Sequence, residues 1–171
     1  MNELTRKYIS GALEMVNAPD GYEWGKETPK GADCSGVVAW ALNRAGFQYR
    51  ITAHEFYYSL FKTENRNLYA DMFPAYPSVI VGIDPKNTVW SHECKANQPH
   101  VTHIAPLIGN GLCVNANYQG DDIEVISIYE FVKKYTGYGL EVRTAHTNES
   151  ILERNNGEWV YGLDIDWREI D

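Results

Sequence analysis

Apolar residues recur at helical spacing in the first third of the chain and then give way to short strand-like runs. Between residues 3 and 16, Leu4, Ile9, Ala12 and Val16 fall on one side of a helix. The turn-rich Asn17-Ala18-Pro19-Asp20-Gly21 ends it. Val37, Val38, Ala41, Leu42 and Ala45 form an apolar stripe, which predicts a central helix from Cys34 to Ala45 with Asp33 as N-cap and Gly46 just past its end. Thr52-x-x-Glu55 ahead of FYYSLF is a capping box opening a third helix.

Beyond Pro74 and Pro77 the period changes. Val79-Ile80-Val81 reads as a short buried strand, and residues 101–108 and 112–117 as two strands joined by Gly109-Asn110-Gly111. Pro106 inside the first of these cannot donate to a ladder, so that strand is expected at an edge or locally bent. A strand near 122–126 follows, then a second capping box, Ser127-x-x-Glu130, opening a helix over IYEFVKKY. Strands are expected near 139–145 and 158–166, the latter placing Trp159, Tyr161, Leu163 and Ile165 on one face. Helices first and strands afterwards predict an α+β fold, a Cys-bearing helix on an antiparallel sheet. With no repeat or linker, residues 1–171 are expected to form one domain.

Composition narrows the function classes. The chain is 44% apolar and 13% aromatic, enough for a real core. Its formal net charge of −8 argues against nucleic acid, whose phosphates need clustered Lys and Arg. No apolar run reaches the roughly 18 residues of a membrane span. The opening MNELTRKYISGALEMV lacks the apolar stretch of a secretory signal, so synthesis in the cytosol is expected. Cys34, Cys94 and Cys113 make an odd count that suits a thiol enzyme better than a disulfide scaffold, with a Cys94–Cys113 bridge left open.

The chemistry concentrates in Gly31-Ala32-Asp33-Cys34-Ser35-Gly36. A thiol at a helix N-terminus is acidified by the helix dipole and the free N–H groups, while the neighbouring Asp33 opposes that effect. Taken alone, a cysteine there serves equally well as a small buried apolar residue. The wider pattern is more telling. Gly-Tyr-Glu-Trp-Gly at 21–25, then Asp33-Cys34-Ser35-Gly36 opening the helix, resembles the signature of NlpC/P60 cysteine peptidases.

That resemblance implies a papain-like fold and a Cys-His-Asn constellation. In the family the base opens a strand written His-x-x-x-x-x-Gly-x-Gly, matched here by His103 through Gly111, and the third residue follows on the next strand, where Asn115 stands. Register allows the pairing on one condition, unless a bulge elsewhere changes the count. A three-residue turn at 109–111 with Gly111 left-handed sets residue 105 opposite Asn115, so that His103 and Asn115 are diagonal neighbours about 7–8 Å apart. A two-residue turn would send Asn115 to the other face.

The resemblance further implies a peptidoglycan stem-peptide substrate cut between D-Glu (through its γ-carboxyl) and the diamino acid. Tyr22 would line the site, and Asp33 and Ser35 would grip a free substrate amine. No cofactor or metal is expected for such chemistry, and a monomer is. Delivery to the cell wall by a phage particle or an injection system such as type VI secretion, with an immunity or delivery partner, fits a leaderless hydrolase, and cytosolic recycling of muropeptides is the alternative. Rival readings are a zinc-binding non-peptidase using His92, Cys94, His100 and His103, a CHAP-like amidase, and a binding module without chemistry.

Overall fold

The computed structural model describes residues 3–28, 30–47, 50–64 and 74–145 in full, and 152–155 and 158–161 by their backbone. The first helix, α1, spans Glu3–Glu14 and buries Leu4, Tyr8, Ile9 and Ala12. A small three-stranded sheet follows, with β1 (Gly21–Tyr22) parallel to β3 (Gly31–Ala32) and β2 (Glu27–Thr28) antiparallel to it. The central helix α2 spans Cys34–Arg44, N-capped by the Asp33 carboxylate, which accepts the Gly36 N–H. At its end the Gly46 and Phe47 N–H groups turn back onto the Asn43 and Leu42 carbonyls, with Gly46 at φ 107°, as the expected terminal glycine requires. Helix α3 (Ala53–Ser59) is capped by Thr52, whose hydroxyl accepts the Glu55 N–H. The reciprocal half of that box is diverted, since Glu55 Oε1 accepts the His92 N–H at 3.1 Å.

A six-stranded sheet carries the rest. Its strands are β4 (Thr63–Glu64), β5 (Ser78–Ser91), β6 (Ala96–Gly109), β7 (Leu112–Asn117), β8 (Asp122–Ser127) and β9 (Gly139–Thr144), in the order β4-β9-β5-β6-β7-β8. Helix α4 (Ile128–Lys134) follows β8 and carries the complete Ser127–Glu130 capping box. Strands β10 (Leu152–Asn155) and β11 (Glu158–Tyr161) pair as a separate hairpin, while Leu163 and Ile165 of the expected last strand lie outside the described residues. The architecture is α+β. Helix α2 is sandwiched between α1 and β6, with Val37, Val38, Ala41 and Leu42 all fully buried. Among the described residues no helix is long and apolar enough to cross a membrane.

One expectation needs correction, and two that were open are narrowed. The strand with Pro106 is interior, between β5 and β7, so of the two settings expected for it the local bend is the one found. Pro106 is tolerated because it faces Val79 of β5 just ahead of an irregularity between Leu107 and Gly109, where pairing with β7 begins. The turn after it has two residues, not three: Gly109 pairs with Leu112 across Asn110 (φ 55°) and Gly111 (φ 68°), a left-handed pair suited to tight hairpins. The irregularity restores the count, because Leu107 then lies opposite Cys113, the pairing that a three-residue turn would have given. Finally, all three cysteines are free: Cys94 is exposed in a turn and Cys113 is buried within β7.

The short strand expected at 79–81 belongs to a much longer one. Beyond Gly82, β5 and β6 extend as an arm whose tip is the turn at 92–95, with register shifts at Gly82/Ile83 and Asp84/Thr88 that bend it. The arm is fastened to α3. The Val101 N–H donates to His54 Nδ1 at 3.1 Å, which leaves Nε2 to donate to the Val89 carbonyl at 3.2 Å, and the Tyr58 hydroxyl donates to the Pro99 carbonyl at 2.8 Å.

Candidate active site

The two halves of the sequence signature meet at one carboxylate. Asp33 Oδ2 accepts the Gly25 N–H at 2.8 Å, and Oδ1 accepts the Gly36 N–H at 2.7 Å. Gly25 sits at φ 76°, a conformation costly to other residues, so its identity follows from its backbone. Gly36 is needed for room. A Cβ there would lie 1.8 Å from the Lys26 carbonyl oxygen, which itself accepts the Asp33 N–H. The Tyr-x-Trp-Gly loop is thereby clamped over the first turn of α2.

Cys34 opens that turn and is partly exposed to a groove of about 990 Å³. Tyr22, Asp33, Ser35, Arg50, His103 and Tyr135 are among the residues lining the same groove. The thiol is not acidified. Burial pushes it up to about 11, with Asp33 adding to the rise, while the Ile104 and Ser35 backbone N–H groups and Arg50 pull the other way. The helix-terminus effect expected from sequence is thus outweighed by desolvation and one adjacent carboxylate.

His103 stands on β6 one residue before Ile104, whose N–H bears on the Cys34 sulfur. Its Nε2 lies 2.6 Å from Asn115 Oδ1 on β7. Asn115 is fully buried, and its amide nitrogen has no partner among the described residues. Burial lowers the imidazole to about 4, and the Asn115 contact opposes this only in part. Both shifts favour the neutral forms, thiol and imidazole. With Nε2–H donating to Asn115 Oδ1, Nδ1 carries the lone pair.

Two residues at this site were missed. Arg50 donates to Asp33 Oδ1 at 2.5 Å, to Ser35 Oγ at 2.6 Å and to the Ile51 carbonyl at 2.9 Å, and its Nε lies 2.7 Å from a Glu27 carboxylate oxygen. An internal cation therefore already sits on Asp33 and Ser35. Tyr135, the C-cap of α4, brings its hydroxyl to 2.9 Å from His103 Nε2. Arg50 carried the weak signal of a charge just ahead of a capping box, and Tyr135 carried none. Tyr22 is half-buried, packed edge-on against the exposed Tyr118 with ring centroids 5.4 Å apart.

The zinc alternative finds no support in the geometry. His103 is engaged by Asn115, His100 packs against His54 and Cys94 lies in the arm's turn, so the four do not converge. Among the described residues no group of three or more His, Cys, Asp or Glu is placed to hold a metal ion.

No family model matches the sequence. A stretch of 38 residues is 50% identical to probable endopeptidases of Mycobacterium bovis and Mycobacterium tuberculosis, covering 22% of this chain and 9% of theirs. Among solved structures, NlpC1 and NlpC2 of Trichomonas vaginalis each superpose with a TM-score of 0.54 at 21% identity. They cover 84% and 85% of this chain, which spans 44% and 47% of theirs. The NlpC/p60 domain of the peptidoglycan hydrolase SagA superposes with a TM-score of 0.51 at 18% identity, over 83% of this chain and 98% of that one. The chain has the NlpC/P60 fold.

Proposed function

We propose that this chain is a cysteine peptidase of the NlpC/P60 kind that hydrolyses an amide of peptidoglycan stem peptides. The reading rests on Cys34 and His103 lining one groove and on His103 Nε2 lying 2.6 Å from Asn115 Oδ1, an arrangement that would leave Nδ1 available as the base. The endopeptidase name of the partial relatives and the peptidoglycan-hydrolase name of one structural neighbour support the substrate class.

In this mechanism His103 Nδ1 takes the thiol proton as the Cys34 sulfur adds to the amide carbon. A neutral starting pair is the form that both shifts favour. The oxyanion forms beside the N–H groups opening α2, each such donor being commonly worth about 2.7–4 kcal/mol. Breakdown of the tetrahedral intermediate cleaves the C–N bond, and Nδ1–H protonates the departing amine. Water, deprotonated by the same nitrogen, then releases the acyl group from sulfur. Asn115 keeps the imidazole oriented throughout.

The bond between D-Glu (through its γ-carboxyl) and the diamino acid is the scissile one in this reading, with Tyr22, Asp33 and Ser35 on the substrate-facing wall. Arg50 neutralises Asp33, so a substrate amine must share that carboxylate with the guanidinium. Incubation with purified sacculi and with defined stem peptides, followed by mass spectrometry, tests the proposal. New termini at that bond are expected, and the Cys34→Ala variant should produce none. Products from sacculi mark a wall-lytic enzyme, whereas products from free peptides alone mark a recycling one. Equal cleavage by wild type and Cys34→Ala would overturn the assignment.

A further inference from the structure

The aromatic cover over His103 has no role in the mechanism above. Tyr135 lies nearly parallel to the imidazole, with ring centroids 4.5 Å apart and planes 27° from each other. Phe131, one turn earlier on α4 and fully buried, stacks on the same imidazole at 5.6 Å and 25°. Phe131 and Tyr135 touch at 4.6 Å, so the imidazole is bounded on one side by two linked rings. Helix α4 is held by its complete capping box, and Tyr135 is fixed as the C-cap through its N–H to the Phe131 carbonyl. The cover therefore sits on a short but anchored element.

The hydroxyl adds a chemical consequence. One imidazole nitrogen, Nε2, has two oxygens within reach: Asn115 Oδ1 at 2.6 Å and Tyr135 Oη at 2.9 Å. Nε2 either bears a proton, which both oxygens can accept, or bears a lone pair, which the hydroxyl, with the carboxamide oxygen turned to the ring, can take up by donating. The carboxamide oxygen cannot donate. The shorter contact thus favours Nε2–H, with the hydroxyl within reach as a second oxygen. When the Cys34 proton arrives at Nδ1 the ring becomes a cation, and the Nε2–H already faces two oxygens inside a desolvated pocket. Charge-assisted bonds of this kind are the stronger ones.

We propose that Tyr135 is a positioning residue for His103, its ring fixing the imidazole plane and its hydroxyl sharing the Nε2 proton with Asn115 so that Nδ1 stays free as the base. The proposal rests on the peptidase reading for its consequence in turnover, but not for the state of the imidazole, and the two can be tested apart.

The test compares wild type, Tyr135→Phe and Tyr135→Leu by nitrogen NMR of His103 and by stem-peptide kinetics. In wild type the ring nitrogens are expected to report the Nε2–H tautomer. Tyr135→Phe keeps the stacking and should retain that tautomer, with kcat lower by about tenfold, the scale of one hydrogen bond, and KM within about twofold. Tyr135→Leu should lose the stacking as well, mix the tautomers and lower kcat further. A wild-type ring protonated on Nδ1, or a Tyr135→Phe variant with unchanged kcat, overturns the role of the hydroxyl. Unmixed tautomers in Tyr135→Leu overturn that of the ring. If no variant or wild type hydrolyses any stem peptide, the peptidase reading fails while the tautomer measurement still decides the positioning role.

Discussion

Asn115 Oδ1 lies 2.6 Å from His103 Nε2, across two strands whose turn is one residue shorter than the sequence count required. The irregularity between Leu107 and Gly109 restores the facing of the two side chains. Replacing Asn115 by Ala removes the acceptor for the imidazolium proton. A hydrogen bond to a charged group is worth about 1.5–3 kcal/mol, so kcat should fall by roughly 10- to 150-fold with a smaller change in KM. Steady-state kinetics on a defined stem peptide would check this, and an unaltered kcat would remove Asn115 from the mechanism.

Cys34→Ala should abolish hydrolysis and leave the fold in place. The side chain is small and only partly buried, so the thermal midpoint should move by little. Calorimetry beside the product assay separates loss of chemistry from loss of structure.

Acid should act on this protein through its histidines. The folded-state value of His103 is about 4, against an ordinary value near 6.5 in the unfolded chain. Between those limits the unfolded chain takes up a proton that the folded one resists, so stability is fully present above about 6.5 and declines as pH falls towards 4. Burial lowers His54 as well, with the same sign. The acid limb of kcat/KM should accordingly sit well below 6.5, where folding permits measurement. A limb at or above 6.5 would contradict the neutral resting pair.

Arg50→Met should both destabilise the fold and slow the thiol. It strands the buried Asp33 carboxylate, a loss of roughly 2–3 kcal/mol, less than the 3–5 typical of a fully buried pair because the Arg50 side chain keeps 23% exposure. It also removes a cation that lowers the Cys34 value, so alkylation of Cys34 near pH 8, followed at the peptide level, should be slower than in wild type. Faster alkylation would show that Arg50 has another effect on the sulfur.

Gly36→Ala drives a methyl into the Lys26 carbonyl and should force the signature loop off α2. Overpacking against backbone commonly costs about 1–3 kcal/mol, and denaturant unfolding should report at least that. Activity should fall with it, since the same loop carries Tyr22 and the Gly25 N–H that holds Asp33.

Local physics made much of this legible beforehand. The apolar stripe from Val37 to Leu42, the Asp33 and Ser127 caps and the terminal Gly46 each rest on residues a few positions apart, and all three appear where the spacing set them. The place of Cys34 at a helix start needs nothing beyond its neighbours. Pairing of distant segments was less accessible. Interior placement of the Pro106 strand depends on which strands lie on either side, and the extension of β5 and β6 into an arm depends on contacts with α3.

The sequence by itself determined the α+β order of elements, the helix that presents Cys34 and the residue types able to act with it, because capping and periodicity operate within one turn or one strand. Only the tertiary structure decided the charge state of the site and the identity of its supporting residues. Desolvation, Arg50 on Asp33 and Tyr135 on His103 arise from segments brought together by packing, and a pKa depends on everything packed around the group rather than on its neighbours in the chain.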